Sequence, residues 1–186
     1  MKKQLLAASA AFALVLAGCG AGTTKEEKPA ANDEVSHGEM EGMDHSSDGS
    51  VPEGLQKAKS PKFAVGSEAI IQADHMKGMK GATATIVGAY DTTAYSINYT
   101  PTDGGEKVMD HKWVIHEELE DPAAAPLEKG TEVTVLADHM EGMDAAKAEI
   151  ESAKKTTVYM IDYVPTTGGD EVTNHKWVVE DELSEK

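Results

Sequence analysis

The chain has 186 residues, a length that fits two small domains. Its 33 acidic residues outnumber 17 basic ones, all of them Lys, and give a formal net charge of -16. This balance argues against nucleic acid as a partner, because backbone phosphates need clustered positive charge. The single Cys excludes an internal disulfide and a Cys-based zinc site. Nine Met and seven His are the unusual part of the composition.

Residues 1–18 have the features of a signal peptide. Two Lys precede an apolar run from Leu5 to Ala17, which is shorter than a stable membrane span. The run ends in Leu16-Ala17-Gly18-Cys19, which resembles the lipobox of bacterial lipoproteins; in that family the chain is cut before the Cys, which then carries lipid. The alternative is a secretory signal with an incidental Cys. We predict that Cys19 is lipidated and that its lipid anchors the protein to the extracytoplasmic face of the cell membrane.

The rest of the chain divides into a polar segment and one unit present twice. Residues 19–60 have few large apolar side chains and are predicted to form a flexible acidic stalk that carries the lipidated Cys. Beyond it, Gly66–Leu119 aligns with Gly130–Leu183 at a constant offset of 64, and 28 of 54 pairs are identical. Prolines mark the linker between the copies. The predicted bounds are 61–121 for the first unit, 122–126 for the linker and 127–186 for the second unit.

Each unit has the pattern of an all-β fold. Glu132–Ala137 alternates and is β-branched, and Ala148–Glu151 and Thr156–Tyr163 follow as further strands. Helix propensity at 145–153 is outweighed by the first copy, where Thr83–Val87 favours a strand. A closing strand at 171–180 completes the unit. We therefore expect two tandem small β-barrels of SH3 or KOW type after the stalk.

Three sequence elements carry a resemblance to a known family. They are Ala-Asp-His-Met-x-Gly-Met, Thr-Thr-x-Tyr-x-Ile-x-Tyr-x-Pro-Thr-x-Gly-Gly and His-Lys-Trp-Val, each present in both copies. Together they resemble the tandem repeat, a domain of unknown function, of YdhK-type bacterial lipoproteins. The resemblance covers nearly all of the chain after residue 60 and extends to the lipobox. It implies an exported lipoprotein with a link to copper handling, and it supplies no catalytic residues.

The His and Met residues form the candidate site. In each unit a His directly precedes a Met-x-Gly-Met turn, and the closing strand adds a second His. Thioether sulfur is a soft ligand and imidazole an intermediate one, so the set suits Cu(I), with Ag(I) close behind. The competing interpretation makes the Met side chains fillers of the core and the His side chains buried polar groups, and the sequence leaves both open. The candidate metal ligands are His75, Met76, Met79, His111, His139, Met140, Met143 and His175.

The stalk contains a third copy of the motif. Met40–Asp44 is identical to Met140–Asp144, and it is flanked by His on both sides. A polar stalk has no core to fill, so we predict an auxiliary metal-binding segment here, although a drifting low-complexity segment is the alternative. Its candidate ligands are His37, Met40, Met43 and His45.

The spacing of aromatic residues, which is the same in both units, supports a rival function. Tyr residues four apart lie on one face of a strand, and such a face would bind a cell-wall polymer or a protein; the simpler interpretation places them in the core. The candidate residues are Tyr95, Tyr99, Trp113, Tyr159, Tyr163 and Trp177. Acidic runs at 117–121 and 180–182 are interpreted as solvated strand ends. No nucleophile, HExxH or phosphate-loop signature is present, so we expect a protein that is not an enzyme.

Overall fold

The computed structural model describes residues 45–186, in which the regular secondary structure consists of strands and two short 3-10 turns, joined by loops. The prediction of an all-β fold is confirmed. The 3-10 turns span His116–Glu118 and Glu180–Glu182. The strands are β1 Gln56–Lys57, β2 Glu68–Ile71, β3 Thr83–Thr100, β4 Val108–Ile115, β5 Glu132–Thr134, β6 Lys147–Tyr163, β7 Val172–Val179 and β8 Leu183–Ser184.

An antiparallel pair of unusually long strands, β3 and β6, forms the centre of the sheet. The register runs from Ala84 opposite Tyr163 to Thr100 opposite Lys147. Thr92 is paired with Thr156, which is its own equivalent in the other repeat. The two repeats are therefore related by a pseudo-twofold axis through the middle of this strand pair, as the subunits of a symmetric dimer would be.

Shorter strands flank the long pair in an arrangement that follows this symmetry. Strands β2 and β4 pair with the two halves of β3, and β5 and β7 pair with the two halves of β6. Strand β8 returns to β2, where Leu183 lies opposite Ile71. The equivalent contact in the other half is the bridge between Leu119 and Val135.

Each hydrophobic core draws on both repeats. One core combines residues of the segment 63–89 with residues of 159–183, and a second combines 95–119 with 127–150. A third cluster, which includes Trp113 and Trp177, lies between β3, β4, β6 and β7. Apolar burial is the main favourable term in folding, so neither repeat holds a complete core of its own.

The expectation of two tandem SH3- or KOW-like barrels is therefore wrong in its architecture. The sheet is not closed into a barrel, and its longest ladder joins the repeats instead of separating them. The two predicted strands Ala148–Glu151 and Thr156–Tyr163 are parts of one strand, β6. Its polar middle continues as a strand because Ala153 and Lys154 pair with Tyr95 and Ala94 of the first repeat.

The end of the predicted stalk is part of the fold. Within the described residues, Ser47 donates its backbone N–H to the carbonyl of Thr173 (3.0 Å), and the Asn174 side chain donates to the carbonyl of Ser47 (3.1 Å). Strand β1 then pairs with β3. The predicted stalk of 19–60 thus extends too far, because Ser side chains and free backbone groups bond to the edge of β7. No helix among residues 45–186 is long and apolar enough to cross a membrane.

Candidate functional site

The two Met-x-Gly-Met motifs form tight turns that are held by the opposite repeat. The N–H of Met143 donates to the carbonyl of Met140 (3.1 Å), and Gly142 has a φ of +72°, which favours glycine. The carbonyl of Gly142 accepts hydrogen bonds from the N–H (2.9 Å) and hydroxyl (3.2 Å) of Thr102. A Cβ at Gly142 would lie 2.9 Å from that of Pro101. The Pro-Thr-x-Gly-Gly turn of one repeat thus clasps the Met-x-Gly-Met turn of the other.

The two Met residues of each turn have different surroundings. Met79 and Met143 are fully buried within the two mixed cores. Met76 and Met140 are half-buried and pack against the same cores from outside. The core-filling interpretation therefore describes Met79 and Met143, and the expected set of two His and two Met is not assembled. Met76 and Met140 are the thioethers that stay partly accessible.

The His residue at the start of each turn is bonded to a carboxylate of the opposite repeat. His139 Nε2 lies 2.8 Å from Glu118 Oε1, and His75 Nε2 lies 2.7 Å from Glu182 Oε1. The Glu118 pair is the more buried, with side-chain exposures of 8% for His139 and 5% for Glu118, against 14% and 18% for His75 and Glu182. In both His residues the other ring nitrogen, Nδ1, is buried without a hydrogen-bond partner.

The indole N–H groups of the two Trp residues bond to the same carboxylates. Trp177 Nε1 donates to both oxygens of Glu118 at 3.1 Å, and Trp113 Nε1 donates to Glu182 Oε2 at 2.8 Å. Burial raises the pKa of Glu182, but hydrogen bonds from His75, the Val179 N–H and Trp113 outweigh it and keep the pKa below its usual value. Each carboxylate is therefore enclosed by donors.

His111 and His175 lie on β4 and β7 and have neutral imidazoles at neutral pH. Each stacks edge-to-face on a buried Tyr, with ring centroids 5.8 Å apart for His111 and 5.9 Å for His175. Burial, and to a smaller extent electrostatic repulsion from His139, His75 and His45, lowers the pKa of both from an ordinary 6.5 to about 3. His111 Nε2 is buried without a partner, whereas His175 bonds to the backbone of His45.

A cavity of about 510 Å³ opens beside the second turn. His139 and Met140 line it together with His45, which enters from the segment predicted as stalk. Asp138, Glu141 and Asp144 also line it, and the remaining lining residues are Thr102 and Gly142. His45 is thereby joined to the folded unit rather than to an independent stalk site.

Four of the predicted site residues lie outside the part of the chain that the structure describes. Cys19, His37, Met40 and Met43 fall in residues 1–44, which the structure does not describe. Within residues 45–186, no group of three or more His, Cys, Asp or Glu side chains is spaced to hold a metal ion.

The prediction of an exposed aromatic face is wrong. All six side chains are buried, with exposures between 0% and 8%, because they fill the cores on both sides of the long strand pair. Burial raises the pKa of Tyr99, Tyr159 and Tyr163 to about 12. No surface for a wall polymer is left by Tyr95, Tyr99, Trp113, Tyr159, Tyr163 or Trp177.

Comparison with known proteins identifies the family of the chain. Residues 65–116 and 129–180 match the family described as protein of unknown function (DUF1541). The chain belongs to the DUF1541 family. It is 56% identical over 174 residues to the uncharacterized protein YdhK of Bacillus subtilis (strain 168), a match that covers 92% of this chain and 83% of that protein.

Solved structures of DUF1541 proteins are similar in fold. A crystal structure of a DUF1541 family protein (YdhK) from Bacillus subtilis has a TM-score of 0.74 at 61% identity and covers 77% of this chain and 97% of that one. The solution NMR structure of the YdhK C-terminal domain from the same species has a TM-score of 0.64 at 60% identity, covering 67% of this chain and 94% of that one.

The residues that sequence reasoning missed lie just beyond the DUF1541 matches. Glu118 and Glu182 follow the two matched segments by two residues each and belong to acidic runs interpreted as solvated ends. The available signal was their position: both lie at the repeat offset of 64, five residues after a Trp. Among many surface carboxylates, that regularity alone does not indicate burial.

Proposed function

We propose that this DUF1541 protein is a membrane-anchored extracytoplasmic lipoprotein that binds soft metal ions, with Cu(I) the preferred ion. The observation that carries the proposal is the cavity lined jointly by His45, His139 and Met140. Two imidazoles and one thioether form a mixed nitrogen and sulfur donor set, which suits Cu(I) better than hard cations. A binding role, and not a catalytic one, is proposed.

Several features of the residues that line the cavity support metal capture. The buried Nδ1 of His139 has no hydrogen-bond partner, and a buried polar atom without a partner is costly unless something binds it. The Met140 thioether needs no deprotonation and remains half-exposed. Asp138, Glu141 and Asp144 raise the local concentration of cations without selecting among them.

The first repeat supplies a second, weaker candidate. His75 repeats the carboxylate bond and the unpartnered Nδ1, and Met76 is half-buried beside it. The segment that brings His45 to the second turn bonds to β7 through Ser46 and Ser47. Because this segment is present once, the two turns are not equivalent, and we assign the tighter site to His139.

The anchor is proposed from the sequence at Cys19. Lipid on this residue would hold the metal site outside the membrane at the end of a short polar segment. Mass spectrometry of the membrane fraction tests it: the intact protein should carry a lipid mass, and a Cys19→Ser variant should appear in the soluble fraction. Recovery of unmodified wild-type protein in the soluble fraction would contradict the anchor.

The metal proposal is tested by titrating the chain without its signal peptide with Cu(I) against a chromogenic chelator. We expect binding tighter than micromolar, weakened about tenfold or more by His139→Ala. His116→Ala is the matched control, since His116 lines a different cavity and bonds to Tyr95. Wild-type affinity in His139→Ala, or no binding tighter than micromolar in the wild type, would end the proposal.

A further inference from the structure

We infer that Glu118 and Glu182 are positioning residues that fix the ring tautomer of His139 and His75, so that Nδ1 of each His faces the metal. The inference rests on the proposed function. It starts from a crossed arrangement: Glu118 of the first repeat holds His139 of the second, and Glu182 of the second repeat holds His75 of the first.

The hydrogen bonds around Glu118 determine which His139 nitrogen carries the proton. Glu118 accepts from the N–H of Ile115 (3.0 Å) and from Trp177 Nε1 (3.1 Å). An ionised carboxylate only accepts hydrogen bonds, so the His139 nitrogen that faces it must be Nε2–H. In a neutral imidazole the proton then lies on Nε2, and Nδ1 keeps its lone pair.

The same reasoning applies to the equivalent site. Glu182 accepts from Trp113 Nε1 (2.8 Å), the Val179 N–H (3.1 Å) and His75 Nε2 (2.7 Å). The unprotonated Nδ1 is in both cases the buried atom without a partner. Metal-binding His residues commonly show this arrangement: one ring N–H donates to a carboxylate, and the other ring nitrogen offers its lone pair to the metal.

In a purely structural role, each Glu would only accept the hydrogen bond of a buried Trp indole. The two roles predict different effects when the Glu is replaced by Gln. A Gln at 118 still accepts from Trp177 or Ile115 through its oxygen, but its amide group then faces His139 with N–H donors. Nε2 must then accept, the proton moves to Nδ1, and the lone pair that would bind metal is lost.

The experiment compares wild type, Glu118→Gln, Glu182→Gln and Trp177→Phe in the full chain without its signal peptide. Long-range proton–nitrogen NMR of the metal-free proteins reports the tautomer of each His. We expect Nε2–H at His139 and His75 in the wild type, a switch at His139 alone in Glu118→Gln, and a switch at His75 alone in Glu182→Gln. Trp177→Phe removes the indole hydrogen bond to Glu118 and should keep the wild-type tautomer of His139.

Cu(I) titration of the same proteins supplies the second readout. Glu118→Gln should weaken the tighter site by about 10- to 100-fold, while Trp177→Phe changes it much less. An unchanged tautomer in Glu118→Gln, or a switched tautomer with wild-type affinity, would overturn the inference. If the buried Glu118→Gln variant fails to fold, Glu182→Gln carries the test, because Glu182 is the more exposed residue.

The design separates the two proposals. A wild type that binds no Cu(I) refutes the proposed function, and the metal-free NMR comparison still decides whether the carboxylates set the tautomer. A wild type that binds Cu(I) while both Gln variants bind equally well keeps the proposed function and refutes the positioning role.

Discussion

The indole N–H of Trp177 lies 3.1 Å from both carboxylate oxygens of Glu118, a residue that the sequence places in the other repeat. Both residues are almost fully buried. A buried carboxylate is tolerated only where donors compensate for its lost hydration. The relationship therefore joins the fold to the candidate site, since the same carboxylate holds His139.

Trp177→Phe should destabilise the protein, because Glu118 loses its indole donor inside the core. We expect a loss of about 1–3 kcal/mol in the free energy of unfolding, measured by urea denaturation. Trp113→Phe is the matched control and should cost less, because its partner Glu182 is 18% exposed and water can replace the bond. Equal losses in the two variants would contradict this account.

Cleavage of the linker should leave the two halves associated. A protease site placed within residues 122–126 cuts between the repeats, yet the β3–β6 ladder and both mixed cores cross that boundary. Size-exclusion chromatography of the cut protein should give one peak of the original size, while a denaturing gel shows two fragments. Separate elution of the fragments is the outcome expected of two independent barrels.

The two Met residues of the second turn should respond differently to Leu. Met143→Leu exchanges core side chains of similar volume, should cost less than about 1.5 kcal/mol and should leave Cu(I) affinity unchanged. Met140→Leu should lower Cu(I) affinity about tenfold with little effect on stability, because Met140 lines the cavity. The reverse pattern would place the thioether ligand in the core.

Gly142→Ala should destabilise the clasp between the repeats. The substitution adds backbone strain at a φ of +72° and a Cβ 2.9 Å from that of Pro101. Gly130→Ala is the control, because Gly130 has a similar φ of +84° and nothing within 4 Å of its Cβ position. Strain alone costs about 1–2 kcal/mol, and thermal denaturation should show a larger loss for Gly142→Ala than for Gly130→Ala.

Alkaline pH should unfold the protein through its buried Tyr residues. Burial raises the pKa of Tyr99, Tyr159 and Tyr163 to about 12, from an ordinary value of 10.0. The fold binds these protons more tightly than the unfolded chain does, so their contribution to stability is complete below pH 10 and is lost as pH rises towards 12. Tyrosinate absorbance should follow the loss of circular dichroism; Tyr residues that titrate near 10 in an intact fold would refute the prediction.

The strand class could be predicted from sequence because alternation and β-branching are local signals. The pairing between repeats could not, since equivalent strands carry the same pattern and match either copy equally well. Residues 152–155 illustrate this. Their polar side chains suggest a break between two strands, but pairing with β3 keeps the backbone extended. A constant repeat offset indicates duplication, whether the copies fold separately or together.

The sequence predicts which types of metal-donor residue the candidate site contains, His and Met, but not which of these residues lie together. His139 and Met140 were recognisable from the motif, and the structure adds His45 to them. Met143 belongs to the core because a turn with one Gly directs its two Met side chains to different environments. Glu118 was missed because a carboxylate buried by a distant Trp has the same local sequence as a solvated one.

The crossed β3–β6 ladder also has a consequence for synthesis of the chain. When the first repeat leaves the ribosome, Thr83–Thr100 has as yet no Lys147–Tyr163 to pair with. During that interval the nascent chain presents a long, unprotected strand edge, the kind of surface on which other chains aggregate. A truncated product that ends after the first repeat would keep that edge permanently, so completion of the whole chain is the step that protects it.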